Sequence, residues 1–194
     1  MEKPTTEHMS AVKHILRYVA GTLHYGCIYR SSGNDNARLV SYSDADHAGD
    51  VDDRKSTTGT LFFLGQCPIT WQSQKQRVVS LSSCQAEYIA ATTAACQAVW
   101  LGRPMGDLFA TDPMVPTVLV DNKSAIQLCK NPVFHDRSKH IETRYHFIRE
   151  NVESGKIAVD YINTDDQLAD ILTKPLGRIK FQTLREKIGI VEIK

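Results

Sequence analysis

Alternating apolar and polar residues predict a β-sheet in the first half of the chain. Residues 38–44 alternate, with Val40 and Tyr42 on one face of a strand, and residues 58–64 and 69–73 are two further strand-like segments. Consecutive strands joined by short connections usually pair with one another. We therefore expect an antiparallel meander of three strands.

The second half of the chain has helical spacing interrupted by two more strands. The predicted segments are helices at 83–101, 122–130, 137–154 and 165–173, and strands at 116–121 and 157–162. Gly102 and Pro104 are expected to end the first of these helices, and residues 118–120 are apolar on both faces, as in a central parallel strand. With the meander, this order predicts an α/β fold. Its five-stranded mixed sheet would have three antiparallel strands, two parallel strands and flanking helices.

Residues 1–37 lie outside this pattern. A helix at residues 7–20 and a short strand or hairpin at 22–30 precede a polar turn at 31–36, which we take as a boundary. We therefore divide the chain into an N-terminal segment, a main domain and a basic C-terminal tail, which cover residues 1–37, 38–176 and 177–194.

Composition and charge narrow the class of protein. The 194 residues, 42% hydrophobic and 23% charged, suit one substantial α/β core. The chain has no membrane-length apolar run and no signal-peptide core, and its five cysteines are scattered. We therefore expect an intracellular protein with reduced thiols and no zinc site. The acidic stretch at 44–53 and the basic C-terminal end fit a phosphate-binding surface beside a metal site, but a basic solvated tail would give the same distribution.

Four carboxylates fall where the predicted elements would meet. Asp44 ends the first strand, and Glu87 lies in the second turn of the first large helix. Asp121 ends the central parallel strand, and Asp170 lies in the last predicted helix. Taken alone, each has an ordinary alternative as an exposed helix residue or a helix N-cap. If they converge, oxygen donors without Cys or His favour Mg²⁺ or Mn²⁺ over zinc. Two such ions that share carboxylates would support attack of water on a phosphodiester.

Motifs along nearly the whole chain resemble the ribonuclease H domain of copia-type LTR retrotransposons. They are SDADHAGD at 43–50, DRKSTTG at 53–59, ITWQSQKQ at 69–76, LSSCQAEY at 81–88, VDNKSAI at 120–126, HDRSKHI at 135–141, RYHFIRE at 144–150 and DQLADILTK at 166–174. Residues 8–22 are similar to the end of the family's reverse-transcriptase connection. The resemblance therefore predicts a piece of a Pol polyprotein.

By this resemblance, the four carboxylates are the catalytic and metal-binding Asp-Glu-Asp-Asp set. Asp44 would hold both of two Mg²⁺ or Mn²⁺ ions, Asp121 and Glu87 one of them, and Asp170 the other. The nearest substitutes for the first and last positions are Asp46 and Asp166. The implied reaction is endonucleolytic hydrolysis of the RNA strand of RNA–DNA hybrids during reverse transcription.

The resemblance also implies partners and a location. The partners are an RNA–DNA hybrid and the reverse-transcriptase domain of the same polyprotein, with no membrane, and the location is the cytoplasm, within virus-like particles. Six residues are expected to contact phosphates or 2′-hydroxyl groups of the substrate. They are Arg54, Lys55, Ser56, Ser83, Asn122 and His140. Relatives of the ribonuclease H type carry a histidine shortly before the last helix, whereas residues 161–166 contain none. His135 or His140 could replace it.

Two alternatives remain open at this point. A degenerate or domesticated domain could bind the hybrid, or dock on the polymerase, without cutting. The presence of all four carboxylates argues against it. A strand-transfer enzyme of the integrase type would be expected to carry Glu on the last helix, so Asp170 argues against that one.

Overall fold

A five-stranded sheet is the centre of the fold. A computed structural model describes residues 3–29, 38–109, 114–130 and 139–193, with the side chains of residues 139–145 left out. In chain order the elements are α1 (Thr6–Gly21), β1 (Tyr25–Cys27), β2 (Leu39–Ala45), β3 (Thr57–Leu64), β4 (Cys67–Lys75), α2 (Ser83–Phe109), β5 (Thr117–Val120), α3 (Lys123–Lys130), α4 (Lys139–Glu153), β6 (Ala158–Tyr161), a 3-10 turn (Thr164–Asp166), α5 (Asp170–Thr173), α6 (Arg178–Ile188) and β7 (Ile190–Glu192).

The strand order confirms the predicted α/β fold with its mixed sheet. The order is β4-β3-β2-β5-β6. The pairs β4–β3 and β3–β2 are antiparallel, whereas β2–β5 and β5–β6 are parallel. Since β2 is central and Ser43 lies beside Val120 of β5, the residues that follow each of them come out at the same edge of the sheet.

Helix α2 packs on one face of the sheet through small residues. Ala91, Ala94 and Ala98 are fully buried against the core that includes Val118 and Phe62. Alanine at these positions brings the helix axis close to the strands. A carboxylate in the first turns of α2 is therefore held near the sheet edge.

The predicted end of α2 at residue 101 is wrong, because the helix continues to Phe109. Gly102 does not end the helix but allows another segment to approach it. An added Cβ there would lie 2.6 Å from the carbonyl oxygen of Met114. The Met114 N–H donates to the Gly102 carbonyl at 3.2 Å. Pro104 lies inside the helix, where it has no N–H to donate to a preceding carbonyl.

The last predicted helix, 165–173, is also wrong in its bounds. The chain instead forms the 3-10 turn and the short helix α5, separated by residues 167–169. The Gln167 side chain is fully buried and donates to the Ser43 carbonyl at 2.9 Å, while it accepts from the Ala169 N–H at 3.3 Å. These side-chain bonds replace helical bonds and fix the segment to β2.

The basic C-terminal residues form a helix and a short strand within the described residues 177–193. Leu184 and Ile188 of α6 lie four residues apart on one face and are buried with Leu61, Phe63 and Leu168. Strand β7 pairs antiparallel with β1. The domain boundaries at 37 and 176 themselves stay a prediction.

Helix α1 differs from the other long helices. It spans the predicted N-terminal helix, but none of its side chains is buried. None of the described helices has the length and apolar character needed to cross a membrane.

Candidate metal centre

Three acidic side chains from three different elements meet at one edge of the sheet. One carboxylate oxygen from each of Asp44, Glu87 and Asp121 lies within 4.8 Å of the other two. Asp44 belongs to β2, Asp121 directly follows β5, and Glu87 lies in the second turn of α2. We call these three residues the carboxylate cluster.

The start of α2 is fixed by side-chain caps, which set where Glu87 falls. The Ser82 hydroxyl accepts the Gln85 N–H at 3.2 Å, and the Gln85 side chain accepts the Leu81 N–H at 2.6 Å. This reciprocal arrangement is similar to a capping box, except that the return bond goes to the N–H of the residue before Ser82. It places Glu87 on the helix face that meets the sheet.

Burial makes the carboxylate cluster electrostatically unfavourable without a cation. Asp44 is fully buried and Glu87 is 6% exposed. Burial, followed by the negative charges of Asp44 and Asp121, raises the pKa of Glu87 to about 9, although the Ala45 N–H opposes this. Burial and the charge of Asp44 likewise raise the pKa of Asp121, against a hydrogen bond from the Thr164 side chain.

One oxygen of the cluster lacks a hydrogen bond. Glu87 Oε2 is buried and has no hydrogen-bond partner within the described part of the chain. A buried carboxylate oxygen in this state usually indicates an ion or water. Three hard oxygen donors with one unsatisfied atom fit a divalent cation of the Mg²⁺ type.

Asp170 is linked to the cluster by Lys174, which pairs with both Asp170 and Asp44. It is 1% exposed, and Lys174 Nζ lies 2.7 Å from Asp170 Oδ1 and 3.0 Å from Asp44 Oδ1. Lys180 Nζ lies 2.7 Å from Asp170 Oδ2, and the Thr173 hydroxyl donates to Asp44 Oδ2. Sequence reasoning missed this use of Lys174, although its position four residues after Asp170 is the spacing of a helical ion pair.

Charged neighbours keep Lys174 protonated. Burial lowers its pKa, but the hydrogen bond to Asp170 and the charge of Asp44 outweigh burial and raise the pKa of Lys174 overall. The ammonium is therefore a fixed positive charge between two buried carboxylates.

The two substitute residues lie elsewhere. The Asp46 side chain accepts the Thr57 N–H and so closes the start of the acidic loop. The Asp166 side chain is 59% exposed and pairs with Lys187 at 2.7 Å. Neither joins the cluster.

The predicted substrate residues near the acidic loop differ in exposure and in contacts. Ser56 is fully buried and its hydroxyl accepts the Ala48 N–H at 3.1 Å. It holds the loop in place. Lys55 pairs with Asp53 at 3.2 Å, and Arg54 is exposed with a positive φ of 56°.

The remaining predicted contacts lie next to the cluster or outside the described residues. Asn122 Oδ1 accepts the Ala125 N–H at 3.0 Å and so caps α3, whereas Ser83 is exposed as the first residue of α2. The side chain of His140 and all of His135 lie outside the described residues. Just before α5, the Thr164 side chain forms a hydrogen bond with Asp121.

The chain is similar over its whole length to proteins encoded by transposons. It is 45% identical over 193 residues to the retrovirus-related Pol polyprotein from transposon RE2 of Arabidopsis thaliana, and 44% identical over 190 residues to that from transposon TNT 1-94 of Nicotiana tabacum. The homologues of this chain are thus retrovirus-related Pol polyproteins from copia-type transposons. The two matches include 100% and 98% of this chain but only 13% and 14% of the two relatives. We therefore call the chain the Pol segment. No protein-family model matches it.

Solved structures show the fold of the Pol segment. LC11-RNase H1, isolated from compost, superposes with a TM-score of 0.51 at 15% identity, covering 71% of the Pol segment and 94% of that protein. The same enzyme in complex with an RNA/DNA hybrid gives a TM-score of 0.50 at 14% identity, over 70% and 94% of the two chains. The Pol segment therefore has the ribonuclease H fold.

Proposed function

We propose that the Pol segment is a ribonuclease H that hydrolyses the RNA strand of RNA–DNA hybrids in retrotransposon reverse transcription. The observation that carries this proposal is the carboxylate cluster, with three oxygens within 4.8 Å and a buried, unpartnered Glu87 Oε2. The structure of LC11-RNase H1 with an RNA/DNA hybrid supports the choice of substrate, since the two proteins share a fold. The Pol polyprotein relatives support the retrotransposon context.

Asp44, Glu87 and Asp121 are the residues that would hold a divalent ion, Mg²⁺ or Mn²⁺. Two ions that share Asp44 would use Asp170 as the outer ligand of the second. Such ions, when bound, would polarise and orient a water molecule for attack and would offset the negative charge that develops on a phosphodiester. In their absence, the raised pKa of Glu87 lets its carboxyl group hold a proton at neutral pH. Thr164 keeps Asp121 oriented through its hydrogen bond.

Residues of the acidic loop and residues next to the cluster would contact the hybrid. We propose that Arg54 and Lys55 contact phosphates and that Ser83 and Asn122, next to the cluster, contact the RNA strand at its 2′-hydroxyl groups. The reverse-transcriptase domain of the same polyprotein would be the protein partner and would add affinity for the hybrid. The proposed setting is a cytoplasmic virus-like particle.

Cleavage of an end-labelled RNA–DNA hybrid tests the proposal. The 194-residue chain should cut the RNA strand only with Mg²⁺ or Mn²⁺ present, and should leave double-stranded DNA and RNA intact. Asp121→Asn should lower the rate about 100-fold or more, because it removes a charged ligand. Asp160→Asn is the matched control: Asp160 lies in the neighbouring strand β6, 62% exposed and 3.8 Å from Lys130, and its loss should leave the rate unchanged.

Two results would contradict the proposal. Equal cleavage by wild type and Asp121→Asn would mean that the cluster is not the active site. Binding of the hybrid without any cleavage would instead favour the alternative of a non-catalytic hybrid-binding module.

A further inference from the structure

Lys174 connects the carboxylate cluster to Asp170. Its ammonium lies 3.0 Å from Asp44 Oδ1 and 2.7 Å from Asp170 Oδ1, and both of these carboxylates are almost completely buried. A positive charge between two buried carboxylates occupies the position that a shared cation would take. No role for this lysine follows from the carboxylate set alone.

The carboxylate oxygens of the site differ in whether they accept a hydrogen bond. Both oxygens of Asp170 accept from ammonium groups, those of Lys174 and Lys180, and both oxygens of Asp44 accept as well, from Lys174 and Thr173. Glu87 Oε2, by contrast, has no partner among the residues that the structure describes. The Glu87 side of Asp44 is therefore open to a cation, and the Asp170 side is already neutralised.

The lysine can leave without unfolding the site. The Lys174 side chain is 34% exposed, whereas the Asp44 and Asp170 side chains that it joins are 0% and 1% exposed. Lys174 is also the C-terminal cap of α5, with an extended backbone, so its side chain is at the end of that helix rather than inside it. Rotation of the side chain would move the ammonium into solvent, beside any bound polyanion.

We infer that Lys174 is a positioning residue that competes with a divalent cation for Asp44 and Asp170. The free protein then holds one ion at the carboxylate cluster, and a second ion binds only when Lys174 leaves. This inference rests on the proposed function, because it concerns the same carboxylates. It adds a residue that decides how many ions the site holds.

Titration of the whole chain with Mn²⁺, followed by electron paramagnetic resonance of the free ion, tests this inference. Wild type should bind one ion tightly and a second weakly. Lys174→Met should tighten the second site about tenfold or more, because it removes a competing charge within contact distance. Lys174→Arg should restore wild-type binding. Lys187→Met, which removes a charge from α6 at the Asp166 pair, should change neither site beyond about twofold.

A second measurement needs no variant that could fail to fold. In wild type, the side-chain ammonium signal of Lys174 can be followed by nuclear magnetic resonance during titration with Mg²⁺. The signal should stay unchanged while the first ion binds and should shift to that of a solvent-exposed lysine as the second binds. A Lys174 signal that is constant to full saturation of two sites would overturn the inference.

The outcomes separate this inference from the proposed function. If wild type and Lys174→Met bind the second ion with the same affinity, the inference about Lys174 is overturned. The proposed metal site still stands in that case, provided that Glu87→Gln abolishes tight binding of the first ion. If wild type binds no ion, or binds ions equally well after Glu87→Gln, the proposed metal site fails and the inference fails with it.

Discussion

Glu87 is the residue at which stability and the proposed activity are most directly opposed. Its carboxyl group is buried with two like charges, and one of its oxygens lacks a partner among the described residues. We predict that Glu87→Gln stabilises the metal-free protein by roughly 1–3 kcal/mol, because it removes the cost of a buried, ionisable group without changing its shape. Thermal unfolding in EDTA measures this. The same variant should lose the added stability that Mg²⁺ or Mn²⁺ gives to wild type.

The pH dependence of the metal-free protein should follow from the same group. The pKa of Glu87 rises from 4.5 to about 9 on folding, so between these values the folded state binds more protons than the unfolded state. Stability that comes from the protonated form is therefore present at pH 5 and is lost as the pH rises toward 9. Unfolding of wild type in EDTA should show this decline, and Glu87→Gln should reduce it. A flat profile in wild type would mean that Glu87 is ionised at low cost.

At the scale of single residues, the sequence led us to expect four carboxylates together, whereas three form the cluster and Asp170 is linked to it through Lys174. The ends of β2 and β5 and the start of α2 follow from strand and helix periodicity, so Asp44, Glu87 and Asp121 could be expected to lie together. The roles of Lys174 and Ser56 could not be predicted, because each depends on one side-chain contact between segments far apart in sequence.

At the scale of elements, Gly59 sets how closely α5 lies against β3. A Cβ at Gly59 would lie 2.7 Å from the Thr173 side chain and 3.0 Å from both the Ala169 carbonyl oxygen and the Leu172 Cβ. We predict that Gly59→Ala costs about 1–3 kcal/mol of stability and weakens cleavage, since it pushes Thr173 and Lys174 away from Asp44. Denaturant unfolding and the hybrid assay measure the two effects.

Gly177→Ala is the matched control for that substitution. Gly177 has a φ of −61°, and an added Cβ there would have nothing within 4 Å. Its effect on stability should be within about 0.5 kcal/mol. If both variants unfold at the same denaturant concentration as wild type, close packing of α5 is not what positions Lys174.

Element types could be predicted more reliably than element ends. The true extent of α2 depends on Gly102, which the sequence suggests as a stop, but which the fold uses for contact with Met114. The break before α5 depends on Gln167, whose side chain finds a partner 124 residues away. Local patterns carry no information about such distant partners.

At the scale of the whole molecule, the two ends of the chain should differ in their effect on stability. Deletion of residues 177–194 removes Leu184 and Ile188 from the core, and each buried side chain of this size contributes about 1.5–3 kcal/mol. We predict that this deletion lowers the melting temperature strongly or prevents folding. Deletion of residues 1–20 should change it little, because no side chain of α1 is buried. Circular dichroism of both truncated proteins checks the prediction, which fails if the first deletion is as well tolerated as the second.

The arrangement of the sheet could be predicted from the order of the elements, because handed crossovers and short connections leave few arrangements. The attachment of the C-terminal residues could not. Their basic composition indicates solvent exposure, and the two buried positions of α6 are too few to stand out from it.

The location of bound Mn²⁺ in crystals of the protein is the most direct test of the proposed metal centre. Anomalous scattering should show a peak within coordination distance of the oxygens of Asp44, Glu87 and Asp121. The acidic loop offers an internal comparison, because Asp50 and Asp53 there already pair with Lys75 at 2.5 Å and 3.0 Å. A peak at that loop and none at the carboxylate cluster would contradict the assignment of these three residues as the site that cuts the hybrid.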